Sequence, residues 1–222
     1  MRSCRILAVS SFILLPPANR TLNLKIQTRD NETIGAWFVL SDPYYHSLPS
    51  IPTNVAAHVI PALKEYPVIL FFHGNAATRA FSARIQHYQG FSSRLGANVL
   101  AIDYRGFADS TGQPSEAGLL SDARSAFDWL VAHGKRAEDI LIVGHSLGTG
   151  VLGMLGAELS SEGINCRGIV LLSVGRKFIP VRSLPDGNTV ALHKHIRGTT
   201  YLQHVWLHPL NEAPFCDSRG CW

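Results

Sequence analysis

The chain has 222 residues, enough for one domain with a sizeable core. Hydrophobic residues make up 46% and charged residues only 16%, below the usual quarter, which suits buried strands or a surface that meets lipid. The formal charge of +4 comes without a basic run or a basic stripe interleaved with aromatics, and this argues against a nucleic-acid partner.

At the N-terminus Arg2 and Arg5 precede an apolar run from Ile6 to Leu15, broken by Ser10 and Ser11. Such a run is too short for a bilayer, which needs about 20 residues, but it has the length of a signal-peptide core. Two sequons follow, Asn19-Arg20-Thr21 and Asn31-Glu32-Thr33, relevant only in a secretory lumen. Residues 1–21 are therefore set apart as an apolar segment, a signal or anchor remnant, or the rest of a longer N-terminal region. Membrane association is an expectation on the first view.

Leu22 to Thr28 alternates apolar and polar residues like a half-exposed strand, Arg29 to Glu32 has turn chemistry, and Thr33 to Leu40 is a second strand. The pair predicts an antiparallel hairpin. Residues 41–66 contain Pro43, Pro49, Pro52 and Pro61 and are expected to form a long connection.

Pro67 to Phe72 is a continuous apolar run, as in a strand buried on both faces of a parallel sheet. From Thr78 to Leu95, the apolar residues Phe81, Ile85, Tyr88, Phe91 and Leu95 mark one helical face, and Gly96 can end the helix. Asn98 to Ile102 is the next buried strand. Ser115 can cap a helix with Glu116 in its first turn and Leu120, Ala123, Phe127, Leu130 and Val131 on one face; Gly134 ends it. Asp139 to Val143 is a strand, Thr149 to Leu159 a glycine-rich helix, and Gly168 to Leu172 a last buried strand. Apolar strands alternating with amphipathic helices predict an α/β domain over residues 22–173, a mostly parallel sheet with helices on both faces. Residues 174–222 show no buried strand and no helical period, and are expected to form an irregular tail.

The strongest local signal is G-x-S-x-G at Gly144, Ser146 and Gly148, between a strand and a helix. A tight turn there lifts the serine hydroxyl from the sheet's C-terminal edge and aims the N–H of Leu147 at a developing oxyanion. His73-Gly74-Asn75, after the strand at 67–72, can supply the second oxyanion donor from Asn75 or Ala76, with Gly74 allowing close approach. His73 itself is expected to order its loop and not to act as base. Asp103 and Arg105, after the next strand, could clamp their loop or bind a substrate charge; the structural role is the better fit.

A serine hydroxyl needs an adjacent imidazole, held in turn by an acid. In chain order the acid follows the serine and the histidine follows the acid. That leaves Asp186 with His193, His195, His204 or His208; Asp217 is excluded because no histidine follows it. Two more βα units would need roughly 60 residues, more than remain. His204 and His208 with Cys216 and Cys221 have zinc-ligand chemistry, but in an order and spacing unlike a familiar finger. The four cysteines contain no CxxC; Cys216 and Cys221 could pair, but free thiols are the expectation.

The segments HGNAATR (73–79), DYRGFADSTGQPSEAGLLSDARSAFDWL (103–130) and GHSLGTGV (144–151) resemble the ABHD12-type monoacylglycerol lipases, within the serine α/β-hydrolases. The resemblance covers roughly residues 22–173. It implies the α/β-hydrolase fold and hydrolysis of lipid monoesters, monoacylglycerol or lysophospholipid-like. It implies Ser146 as nucleophile, Asn75 and Leu147 at the oxyanion hole, and neither metal nor organic cofactor. It also implies a membrane setting, often the endoplasmic reticulum. The family continues past the strand at 168–172 to its acid and histidine, so the domain is expected to be C-terminally incomplete. Two functions follow: a serine ester hydrolase taking a small acyl ester or lipid, or an inactive truncated hydrolase with an interaction role or none.

Overall fold

The computed structural model describes residues 19–172 and the backbone of 216–217 and 220–221. Six strands form one sheet in the order β1-β2-β4-β3-β5-β6. β1 (Thr21–Gln27) and β2 (Thr33–Val39) form the expected antiparallel hairpin, and β2 also runs antiparallel to β4 (Asn98–Ile102). The other pairs are parallel: β4 with β3 (Val68–Phe72), β3 with β5 (Ile140–His145), and β5 with β6 (Gly168–Leu172).

The central strands β3 and β4 are buried along their whole length, which explains their unbroken apolar runs. Alternate residues serve opposite faces. Leu70, Phe72, Leu100 and Ile102 pack with Phe127 and Leu130 of α4 (Glu116–Ala132) and with Leu152 and Leu155 of α5 (Leu147–Ser161). Ile69, Phe71, Val99 and Ala101 pack on the other face with Ile85 and Tyr88 of α3 (Ser82–Arg94). Helices therefore cover both faces, as the alternating pattern predicts.

The connection at 41–66 is more structured than its prolines suggest. It holds α1 (Asp42–Ser47), a 3-10 turn (Val55–His58) and α2 (Val59–Glu65). Pro43 and Pro61 sit in the first turns of α1 and α2, where a missing N–H costs nothing. Ser41 caps α1 by accepting from the N–H of Tyr44. Val59, Ala62 and Leu63 join the core, so this segment is part of the packing and not a loose link.

Two helical faces need correction. Phe81 and Leu95 flank α3 without joining it and are 51% and 60% exposed. The helix starts later than expected because Phe81, the residue before it, is extended (φ −65°, ψ 134°) and the segment from Thr78 to Phe81 forms a turn instead, with Phe81 N–H donating to the Thr78 carbonyl at 3.0 Å. On α4, Val131 is exposed, while Ala126 takes the buried place beside Phe127. Ser115 caps α4 as expected, accepting from Gly118 N–H at 3.1 Å, and Gly134 follows the helix at φ 90°.

The N-terminal segment expected at 1–21 lies almost wholly outside the described residues. So do Asp186, the four tail histidines and the side chains of Cys216 and Cys221. Backbone pairing joins Cys216–Asp217 to Gly220–Cys221 in a short antiparallel ladder, β7 and β8. Among the described residues, no helix is long and apolar enough to cross a membrane.

Candidate active site

β3 and β5 lie side by side and parallel, with Phe72 opposite Gly144. The two loops that leave their C-terminal ends therefore meet. One is the loop after His73; the other is the turn into α5.

Ser146 forms that turn with φ 51° and ψ −112°, a conformation that costs a residue with a Cβ on the order of 1–3 kcal/mol. Its neighbours show why the turn needs glycines. A Cβ on Gly144 would lie 2.4 Å from the carbonyl oxygen of Gly148, and one on Gly148 would lie 2.1 Å from that of Phe72. Both obstacles are backbone and cannot swing aside. The Ser146 N–H donates to the carbonyl of Leu172 at 3.0 Å, while Thr149 donates to the Ser146 carbonyl through both its N–H (2.9 Å) and its hydroxyl (2.6 Å). The half-buried serine thus sits on a turn fixed from both sides. Leu147 opens α5 with an exposed side chain, and its N–H, at the first helical position, has no acceptor within the helix.

The facing loop touches this turn at Gly74. A Cβ there would lie 2.9 Å from Nδ1 of His145 and 3.3 Å from Cβ of Ser146. Segments 73–76 and 144–148 are therefore in contact, as the chemistry of an oxyanion pair requires. Asn75 follows in the same loop and is exposed.

His73 makes no hydrogen bond to Ser146, and both its ring nitrogens have other partners. It is buried, with Nε2 3.1 Å from Asp103 Oδ1 and Nδ1 2.8 Å from the Gly74 carbonyl, and its ring lies against Tyr104. Asp103 also accepts from Arg79, through the backbone N–H at 2.6 Å and through the guanidinium. Asp103 and Arg105 do not clamp one another. Arg105 pairs with Asp122 in α4 and with Asp30 in the β1–β2 turn. Each thus fastens a different stretch of chain, and neither offers a free charge to a substrate.

One group escaped the sequence reading. Arg84, near the start of α3, is only 6% exposed. Its guanidinium donates to the carbonyls of Thr78 (2.7 Å), Gly74 (2.8 Å), Asn75 (3.3 Å) and Ala76. The available signal was a charge inside an apolar stripe, three residues after Phe81 and four before Tyr88. His145 and His87 add two half-buried rings whose centroids are 5.9 Å apart. Burial pushes both imidazole pKa values down, and for His145 the neighbouring His87, Arg84 and His73 push further.

Among the described residues no group of three or more His, Cys, Asp or Glu side chains could hold a metal ion. No imidazole there hydrogen-bonds the Ser146 hydroxyl. The remaining base and acid candidates, with the tail zinc set, lie outside the described residues.

A model of the alpha/beta hydrolase family matches residues 69–217. The chain belongs to this family. This α/β-hydrolase is 40% identical over 135 residues to the lysophosphatidylserine lipase ABHD12 of Xenopus tropicalis, covering 60% of the chain and 33% of that protein. It is 41% identical over 157 residues to the human protein ABHD12B, covering 68% of the chain and 41% of that protein. The matched regions thus span about a third to two-fifths of those relatives' length. Among solved structures it is similar to an alpha-beta hydrolase from Vibrio vulnificus (TM-score 0.52, 24% identity, 70% of this chain and 46% of that one). A bacterial heroin esterase gives a TM-score of 0.53 at 20% identity, with 70% of this chain and 44% of that one covered. These structural likenesses bear on the fold alone.

Proposed function

We propose that the protein is a serine ester hydrolase acting on lipid monoesters, monoacylglycerol or lysophospholipid-like. The observation that carries this reading is the contact between the strained Ser146 turn and Gly74. Contact between these two loops at the sheet's C-terminal edge supports an arrangement in which a serine hydroxyl and N–H groups from both loops serve one ester. The similarity to a lysophosphatidylserine lipase supports the lipid class, as do the exposed apolar side chains of Leu147, next to Ser146, and of Phe81, against Arg84.

In this reading Ser146 Oγ attacks the ester carbonyl carbon. The carbonyl oxygen becomes an oxyanion that accepts from the N–H groups of Leu147 and Asn75. An imidazole takes the serine proton and returns it to the leaving alcohol, and water then releases the acyl group as a carboxylate. The histidine and acid of this relay are assigned to residues 174–222, with Asp186 and one of His193, His195, His204 and His208 as candidates. The membrane is the setting in which such a substrate would be met.

The test is labelling by a fluorophosphonate probe, comparing the wild-type chain with Ser146→Ala under conditions where both are folded. Serine-dependent labelling is expected. Equal labelling, or none in the folded wild-type chain, favours the inactive alternative.

A further inference from the structure

Arg84 is a buried cation that meets no carboxylate among the described residues. Taking a guanidinium out of water is costly, and burial pulls its pKa down. An apolar side chain would fill the same place on α3 more cheaply. What the guanidinium does instead is collect carbonyls: Gly74, Asn75, Ala76 and Thr78 all point at it.

That convergence has a geometric consequence. All described peptides are trans, so each C=O and the following N–H point in opposite directions. With the carbonyls of 74, 75 and 76 turned to Arg84, the N–H groups of Asn75, Ala76 and Ala77 are turned away from it. None of these three N–H groups has an acceptor among the described residues. Ala76 and Ala77 hold the left-handed conformation this path demands, although alanine disfavours it. Successive N–H groups presented by such a path make a concavity for an anion. At Gly74 the same loop meets Ser146 and His145.

We infer that Arg84 is a positioning residue for the oxyanion loop: its guanidinium holds the carbonyls of 74–78 on one side and thereby leaves the N–H groups of 75–77 facing the reacting ester. This deepens the hydrolase reading and rests on it. A guanidinium is needed, because Nη2 meets the carbonyls of 74, 75 and 76 while Nη1 meets that of Thr78; a lysine ammonium, with three donors on one atom, cannot serve four acceptors divided between two nitrogens. The guanidinium touches neither substrate nor Ser146; it acts through the loop.

The experiment uses the full chain as wild type, Arg84→Lys, Arg84→Met and Arg84→Ala, each checked for folding by circular dichroism. Turnover of a short-chain p-nitrophenyl ester is measured with and without free guanidinium ion. The expected result is a fall in kcat of about 100-fold for all three variants, the loss typical of a missing oxyanion donor, with KM within threefold of wild type. Free guanidinium should partly restore kcat in Arg84→Ala and leave wild type unchanged. An unchanged kcat, or a loss confined to KM, overturns the inference. A crystal structure of Arg84→Met is the second arm: at least one carbonyl of 74–76 should have turned, and a loop superposing on the wild-type path overturns it. If the wild-type chain shows no Ser146-dependent turnover, the hydrolase reading falls, and this second arm still decides whether Arg84 sets the loop.

Discussion

The carbonyl oxygen of Phe72 lies where a side chain on Gly148 would have to go: an added Cβ would sit 2.1 Å from it. β3 and the first turn of α5 are pressed together so closely that only a hydrogen atom fits between them. Gly148→Ala must therefore separate α5 from β3, and the Ser146 turn moves with it. Such overpacking typically costs 1–3 kcal/mol, and the upper part of that range is expected because the obstacle is backbone. Urea unfolding of the variant against wild type measures it. The same variant should also lose fluorophosphonate labelling under folding conditions.

Ser146 holds a backbone conformation with φ 51°. Ser146→Gly should then be more stable than Ser146→Ala by about 1 kcal/mol, because glycine relieves the strain while its greater unfolded-state freedom offsets part of the gain. Both variants should be inert to the probe. Paired thermal melts decide the point, and equal melting temperatures would show that the turn stores no strain.

Arg105 and Asp122 form a buried ion pair, with the carboxylate fully inaccessible and accepting from the Arg105 N–H at 2.8 Å and Nε at 2.9 Å. Burial already pushes the Asp122 pKa upward against the pull of Arg105. Arg105→Leu would leave that carboxylate unpaired and release Asp30 in the hairpin turn. A loss of about 3–5 kcal/mol is expected from denaturant titration. Arg105→Leu combined with Asp122→Leu should recover part of it, since no orphaned charge remains.

Acid should lower the stability of the protein over two pH ranges. Burial holds the imidazoles of His87 and His145 below their ordinary range, so the native state binds fewer protons than the unfolded chain. Stability is then lost as pH falls below about 6.5, the unfolded value. The carboxyls of Asp109 and Asp30 lie far below their usual range, chiefly through hydrogen bonds from Arg79 and Arg105 respectively. Their contribution is complete above about pH 4 and is lost as pH drops through the native values. Unfolding midpoints between pH 8 and 3 should show both declines. His87→Leu should reduce the first and leave the second in place.

Much of this architecture was legible along the chain because its causes are local. The cap at Ser115, the apolar runs at 68–72 and 98–102 and the glycine pair around Ser146 all state their structure in a few consecutive residues. The prolines at 43 and 61 misled because a first helical turn tolerates proline, and only the cap at Ser41 and the tertiary burial of Val59 and Leu63 distinguish such a turn from a break. Arg84 was illegible for a different reason. Its partners are carbonyls, which every residue carries, so no residue type in the sequence marks the other half of the interaction. The need for glycine at 148 was visible as a motif, but the obstacle, the Phe72 carbonyl, comes from a strand over 70 residues away.

The hydrogen bond from the Ser146 N–H to the Leu172 carbonyl fixes a point of departure. The polypeptide beyond β6 sets out from beside the nucleophile turn, one peptide link from a group already bound to it. The end of the outermost described strand and the nucleophile turn are thus moored to one another, so a change that slides β6 along β5 would carry the serine with it.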